Sequence, residues 1–198
     1  MVNVTQGQTN IRKLQVPLIK QSVELLTDRL LLSMTSEKDL STLSTIITNE
    51  YVRKYLFDDE ILDDVQIQDI LSRSIQSFQR NGYGLWLIRY NESNSIVGMA
   101  GLWEFFEESQ PQLLFALLPE YVGNGIASEA VGAILKYSFE ALSFSYLTTS
   151  CDTGNTSSHK VAERLGMVKT KEEAIDGKPI TFYRIENIPT FPPDMKSS

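Results

Sequence analysis

The chain has 198 residues, 42% of them hydrophobic and 22% charged, the make-up of one globular domain with a sizeable core. Its net charge of −7 argues against nonspecific nucleic-acid binding, which runs on basic patches. A single cysteine, Cys151, excludes an internal disulfide framework, and a single histidine, His159, argues against a histidine-based metal centre or a Ser-His-Asp triad, so no metal is expected.

Residues 1 to 22 are polar and unpatterned and read as a loose arm. Glu24 to Met34, rich in leucine, reads as a first strand. Ser36 and Asp39 form an approximate capping box ahead of a helical stripe of Leu40, Leu43, Ile46 and Ile47. An acidic linker follows, with Asp58, Asp59, Glu60, Asp63 and Asp64. It reads as a solvated loop that supplies helix N-terminal charge, and alternatively as an electrostatic lip for an amine substrate. Asp64 to Asn81 is a second amphipathic helix, carrying Ile67, Ile70, Leu71, Ile75 and Phe78 on one face and stopped by Gly82. Leu85 to Tyr90 and Ile96 to Trp103 are strands joined by the turn cluster at residues 91–95, with Trp86 and Trp103 most simply in the core. Acidic residues return at Glu104, Glu107 and Glu108.

The apolar run Leu114 to Leu118 then meets Pro119, two glycines at Gly123 and Gly125, and a helix with Ala130, Val131, Ile134, Leu135 and Leu142 on one face. Glycines let backbone approach a ligand closely, and a helix N-terminus offers free N–H groups and partial positive charge, so this order suits a phosphate. The dinucleotide pattern G-x-G-x-x-G fails at Ser128, and the P-loop pattern lacks its Gly-Lys-Ser/Thr. Tyr146 to Cys151 reads as a strand and Asn155 to Leu165 as a short helix with Gly166 as its C-terminal cap. In that helix Ser158 and Val161 face inward, which leaves His159 toward solvent, while Cys151 reads as a small core residue. Met167 to Thr170 and Ile180 to Ile185 form a last strand pair around Asp176-Gly177, and a tail with Pro189, Pro192 and Pro193 reads as disordered. The domain is thus placed at residues 23–187, with the tail at 188–198. No apolar run approaches the ~20 residues of a membrane helix, and residues 1–10 form no apolar signal region; a cytoplasmic protein without membrane contact is expected.

Val122-Gly123-Asn124-Gly125-Ile126-Ala127 resembles the acyl-CoA loop of the GCN5-related N-acetyltransferase (GNAT) superfamily, with Val122 where that loop opens on Gln or Arg. Pro119-Glu120-Tyr121, Ser128-Glu129-Ala130, the Thr27-Asp28-Arg29-Leu30 string and the run from Asn155 through Ser158 to Gly166-Met167 resemble the ribosomal-protein N-acetyltransferase (RimJ/RimL-like) branch. The resemblance covers residues 24 to 186 and implies an α/β, single-domain fold: a mixed, mostly antiparallel sheet, splayed at the cofactor site and flanked by helices. It implies transfer of an acetyl group from acetyl-CoA to an amine, either a protein N-terminus or a small molecule, by direct attack in a ternary complex. The cofactor-binding residues it implies are Phe115, Ala116 and Leu117 through their main chain, then Gly123, Asn124, Gly125, Ile126, Ala127 and Ser128, with Asn155. The Tyr that many members use as general acid is Ala162 here, so Ser158 becomes the proton donor and Asn155 an orienting group. The branch's central-strand Glu appears as Gln112, which cannot take a proton, so Glu104 is the expected base. Trp103 and Tyr183 are candidate walls of the acceptor pocket. A noncatalytic acyl-CoA-binding protein of the same fold is the alternative, and a monomer or a homodimer is expected.

Overall fold

The leucine-rich start does not run as one strand. Thr27, Asp28 and Arg29 reverse the chain, so Glu24–Leu26 (β1) lies antiparallel to Leu30–Met34 (β2), with Leu26 opposite Leu31. The Thr27 hydroxyl closes this turn by accepting the Leu30 amide at 3.0 Å. The computed structural model describes residues 22–105 and 110–188, so most of the expected arm, Glu107, Glu108 and the tail from Pro189 onward lie outside the described residues.

Leu40–Ile47 (α1) follows a short 3-10 turn at Glu37–Asp39, where the Asp39 carboxylate accepts both the Ser36 amide and hydroxyl. Glu50–Leu56 (α2) is a helix that the sequence pattern did not announce. At seven residues it spans under two turns and buries only Val52, so no apolar period develops; Asn49 caps it by accepting the Tyr51 amide. The carboxylates of the acidic linker are exposed, as its composition suggests, but two of them are paired. Asp58 and Asp59 adopt left-handed backbone, Asp59 pairs with Arg53, and Asp58 crosses to Lys178. Asp63 caps Asp64–Asn81 (α3) in a reciprocal box with Gln66, and Gly82 ends it in the left-handed conformation.

Leu85–Tyr90 (β3), Ile96–Trp103 (β4), Gln112–Leu117 (β5), Tyr146–Asp152 (β6), Val168–Ile175 (β7) and Lys178–Glu186 (β8) complete one eight-stranded sheet in the order β1-β2-β3-β4-β5-β6-β8-β7. Every neighbouring pair is antiparallel except β5 with β6, which are parallel and joined by Ile126–Glu140 (α4). Thr156–Arg164 (α5) packs beside α4. The period of two along β5 divides the core. Leu113 and Leu117 join the cluster under α4, with Ala130, Val131 and Ile134, whereas Ala116 packs with Leu43 and Ile46 of α1 and Ile67 and Leu71 of α3. Among the described residues, no helix is long and apolar enough to cross a membrane.

One side chain ties the first hairpin to the start of α4. The Glu129 carboxylate accepts the Thr27 hydroxyl at 2.6 Å, the Arg29 amide at 3.0 Å and Arg29 Nε at 2.7 Å, while Arg29 Nη1 donates to the Asn124 carbonyl at 3.1 Å. Burial pulls the Glu129 carboxyl upward, but the Thr27 hydroxyl, the Arg29 amide and the Arg29 guanidinium outweigh it and hold the group below the ordinary glutamate value. A depressed carboxyl contributes stability that is full above its unfolded value and fades as the pH falls through the folded one. Arg29 is 46% exposed, so water screens part of the attraction. Glu129→Gln should therefore cost on the order of 1–2 kcal/mol at neutral pH, read as a Tm about 2–8 °C lower. The gap from wild type should close as the pH falls below about 4.5, the ordinary value; a gap that persists in acid would sink this account.

Candidate active site

The parallel pair at the centre of the sheet is incomplete. Among the described residues, β5 and β6 share one paired position, Gln112 with Thr148, and the Thr149 hydroxyl donates to the Leu113 carbonyl at 2.8 Å just beyond it. From there the strands part, while β5 stays paired to β4 as far as Leu117 opposite Gly98. The β6-facing main chain of Phe115, Ala116 and Leu117 is left without a strand partner. A buried strand edge of this kind calls for a ligand able to pair with it. A cavity of about 600 Å³ fills the gap and opens on both faces of the sheet.

On the α4 face, Gly123, Gly125, Ile126, Ala127 and Ser128 line it, together with Asn155 and Ser158 of the α5 region. Gly123 and Gly125 both have left-handed backbone, with φ of 88° and 77°, so glycine is required for conformation. A Cβ on Gly123 would meet nothing within 4 Å, and one on Gly125 would meet only Arg29 Nη2 at 3.6 Å; the space above the loop is open. Gly125 is the N-cap of the 15-residue α4, whose first amides are free for an anion. Val122 brings no polar head and packs against the core. A cation reaches the site from elsewhere: Arg164 Nη1 donates to Ser128 Oγ at 3.4 Å and, among the described residues, faces no carboxylate. A guanidinium beside a helix N-terminus is unfavourable by itself and is relieved by an anion, so loop, helix and arginine together fit the diphosphate of acetyl-CoA.

Most of the residues expected to hold the cofactor line this cavity: Phe115, Ala116, Leu117, Gly123, Gly125, Ile126, Ala127, Ser128 and Asn155. Asn124 does not; its carbonyl is taken by Arg29 and its residue lies at the surface. Asn155 caps α5 by accepting the Ser158 amide at 3.2 Å. Ser158 is half-buried against the cavity, and among the described residues its hydroxyl has no partner. Glu104, the expected base, is not among the lining residues; it accepts the Tyr83 hydroxyl at 3.0 Å, and burial first, then Glu104, pushes that phenol up to about 12. Trp103 lies under the Arg73 guanidinium, 4.9 Å from ring centroid, and is not a wall of the cavity either.

His159 departs from its expected solvent-facing place. Nε2 sits 3.0 Å from the Thr153 carbonyl, which can only accept, so the proton is on Nε2. Nδ1 then accepts the Tyr183 hydroxyl at 2.8 Å, with Cys151 Sγ at 3.7 Å. Tyr183 is thus a support of α5 and not a pocket wall. Burial, and then Asp152, push the Cys151 thiol up to about 11, which keeps it protonated and a poor nucleophile.

The opposite face contributes residues that sequence reasoning missed, Asp152 above all, beside Asp58 of the acidic linker, which was offered as part of an electrostatic lip. Tyr51, Val52 and Tyr55 of α2, then Asp58, face Ser150 and Asp152 of β6 across the cavity. Burial raises the Asp152 carboxyl above its ordinary value, Asp58 adds to the rise, and Lys178 opposes it. The available signal was β-strand register: β6 runs one residue past Cys151, which sets Asp152 on the face opposite α5.

Gly125→Val forces a β-branched residue into left-handed backbone and sets its side chain where a phosphate would approach. Acetyl-CoA affinity by calorimetry should fall at least about tenfold, about 1.4 kcal/mol. Unchanged affinity would remove the loop from the cofactor site.

Comparison with known proteins bears on the family and the fold. An uncharacterised Bacillus subtilis (strain 168) protein, YkkB, is 28% identical over 163 residues, covering 81% of this chain and 94% of its own. The solved acetyltransferase from Agrobacterium tumefaciens str. C58 superposes with a TM-score of 0.74 at 20% identity, covering 91% of this chain and 100% of that one. A Salmonella typhimurium acetyl transferase that modifies the N-terminal serine of ribosomal protein L7/L12 does so with a TM-score of 0.68 at 18% identity, covering 81% and 96%. At such identities the structures show a shared fold. Residues 29–168 match the acetyltransferase (GNAT) domain, and the chain belongs to that family.

Proposed function

We propose that this protein is a RimJ/RimL-like N-acetyltransferase in which Asp152 takes the acceptor's proton and Ser158 protonates the departing thiolate. As a family member it moves an acetyl group from acetyl-CoA to an amine. The observation that carries the finer reading is that one cavity joins the two sides of the sheet, with the glycine loop and Ser158 on one face and Asp152 on the other. An acceptor that enters past Tyr51 and Tyr55 brings its amine to the Asp152 carboxylate. Deprotonated there, the amine attacks the thioester carbonyl of acetyl-CoA held along Phe115 to Leu117. The tetrahedral oxyanion is met by strand N–H groups that have no ladder partner. Collapse releases the CoA thiolate toward α5, where the Ser158 hydroxyl gives the sulfur a proton and takes in its place the second proton that the attacking nitrogen must shed. Asp152 therefore replaces Glu104 in the role of base.

The acceptor's class follows from the same face. Asp58, Asp152 and Asp176 line the cavity, with Lys178 offsetting one of them, so an ammonium is attracted and an anionic acceptor is not. Among the structural neighbours, one transferase takes a protein N-terminal serine. A protein N-terminus and a small-molecule amine are both within this chemistry.

Steady-state turnover of acetyl-CoA with an amine acceptor tests the assignment. Asp152→Asn should lower kcat about a hundredfold or more, within the range of general-base contributions. In the wild type kcat/KM should rise with pH as Asp152 ionises, above the usual carboxylate range because burial raises it, and this limb should be absent from the variant. Ser158→Ala should lower kcat with little change in the KM for acetyl-CoA. If Asp152→Asn leaves both kcat and the pH profile unchanged, the base lies elsewhere.

A further inference from the structure

Gln112 has a property that the transfer chemistry does not use. It is 1% exposed, its Oε1 accepts the Ser150 hydroxyl at 3.1 Å, and its Nε2 has no hydrogen-bond partner among the described residues. A buried amide nitrogen with both hydrogens unmatched is costly and rare in a folded protein, so its persistence calls for a ligand. The side chain lines the cavity.

Its position says which ligand it meets. Gln112 stands at the apex of the gap, the last position at which β5 and β6 pair, beyond the bare edge that suits the cofactor arm. Alternation along β5 puts it on the same face as Ala116, which packs with α1 and α3, away from the glycine loop. Alternation along β6 puts its partner Ser150 on the same face as Asp152, opposite Cys151, which touches His159 of α5. The unpaired amide and the Asp152 carboxylate therefore share the acceptor's side of the sheet. One offers a hydrogen-bond donor and the other receives an amine.

We propose that Gln112 is a specificity-determining residue whose Nε2 donates to an oxygen on the carbon adjacent to the one that bears the acceptor's amine. The acceptor class is then an oxygenated amine, with the oxygen an aminoacyl carbonyl or an amino-alcohol hydroxyl, in preference to alkylamines and simple polyamines. Ser150 holds the amide by its oxygen, which leaves the nitrogen as the unmatched donor of a residue on the cavity wall. This inference rests on the transferase reading for its direction of entry.

The test uses three probes of similar size: alaninamide, 2-amino-1-propanol and isopropylamine, the last with no oxygen. Their binding is measured by calorimetry on both the free protein and its CoA complex, beside steady-state kinetics with acetyl-CoA. At least one oxygenated probe should bind about tenfold or more tighter than isopropylamine, and whichever wins identifies carbonyl or hydroxyl as the source. Gln112→Met keeps the length, removes the unmatched donor and should bring the three probes level, through a rise in KM for the oxygenated probes. Ser150→Ala frees the amide and should reduce the preference severalfold, which keeps the inference testable if Gln112→Met does not fold. Three probes that bind alike in the wild type, or are not bound at all, would overturn it. So would a preference that survives in the folded Gln112→Met protein, or an equal loss of kcat for all three. Acetyl-CoA affinity, measured without acceptor, reports on the transferase reading alone, so the two can fail separately.

Discussion

The parting of β5 from β6 is the constraint on which the rest of the molecule depends. A parallel pair inside a sheet normally satisfies its main chain along its length, yet here pairing ends after one position and the Thr149 hydroxyl takes the next carbonyl. Unpaired backbone in a protein interior is tolerable only when something else pairs with it. The fold keeps the gap open by pinning both arms independently. β5 is held over its full length by β4, and β6 by β8 from Tyr146 opposite Glu186 to Asp152 opposite Ile180. Neither arm can swing across to close the gap without breaking a ladder. The opening is thus a built-in slot whose edge is backbone, which explains how ordinary side chains such as Phe115 and Leu117 can stand at a binding site.

Charge is arranged on a smaller scale than the net value suggests. The chain is acidic as a whole, but the anion-binding loop is not. Glu129, in the first turn of α4, would oppose a phosphate, and its charge is consumed by Thr27 and Arg29. Arg164, beside Ser128, has no carboxylate partner among the described residues. Across the sheet the balance reverses, with two carboxylates and one lysine at Asp58, Asp152 and Lys178. The two faces of one slot thereby carry opposite charge, positive at the glycine loop and negative across the sheet.

Much of the fold was legible because its signals are local. α3 spans Asp64 to Asn81 and ends where Gly82 says it should, and β3 and β4 occupy Leu85 to Tyr90 and Ile96 to Trp103 on either side of the turn cluster. The glycine pair marked the loop because two left-handed residues admit little else. What was not legible depends on contacts distant in sequence or on short elements. α2 is too brief to show a period, and the string from Thr27 to Arg29 looks strand-like until Glu129, a hundred residues on, is seen to hold it as a turn. His159 was misjudged because helical spacing knows nothing of Thr153 and Tyr183. Asp152 and Gln112 needed the faces of two strands to be known together, which sequence spacing on either strand does not supply. Glu104 looked suitable by its nearness to the central strand, but Tyr83 holds it off the cavity.

The Glu129 clamp also couples two regions that look unrelated. The same Arg29 whose amide and guanidinium grip Glu129 holds the Asn124 carbonyl inside the anion loop. Whatever free energy the hairpin contributes to ordering the loop, the ordered loop returns to the hairpin, because linkage between two sites is reciprocal. Slow amide exchange at Leu30, whose N–H is bound to Thr27, becomes a reporter of occupancy at a loop nearly a hundred residues away. A chain shortened past Arg29 would free the Asn124 carbonyl and the Glu129 carboxylate without losing one residue of the pocket.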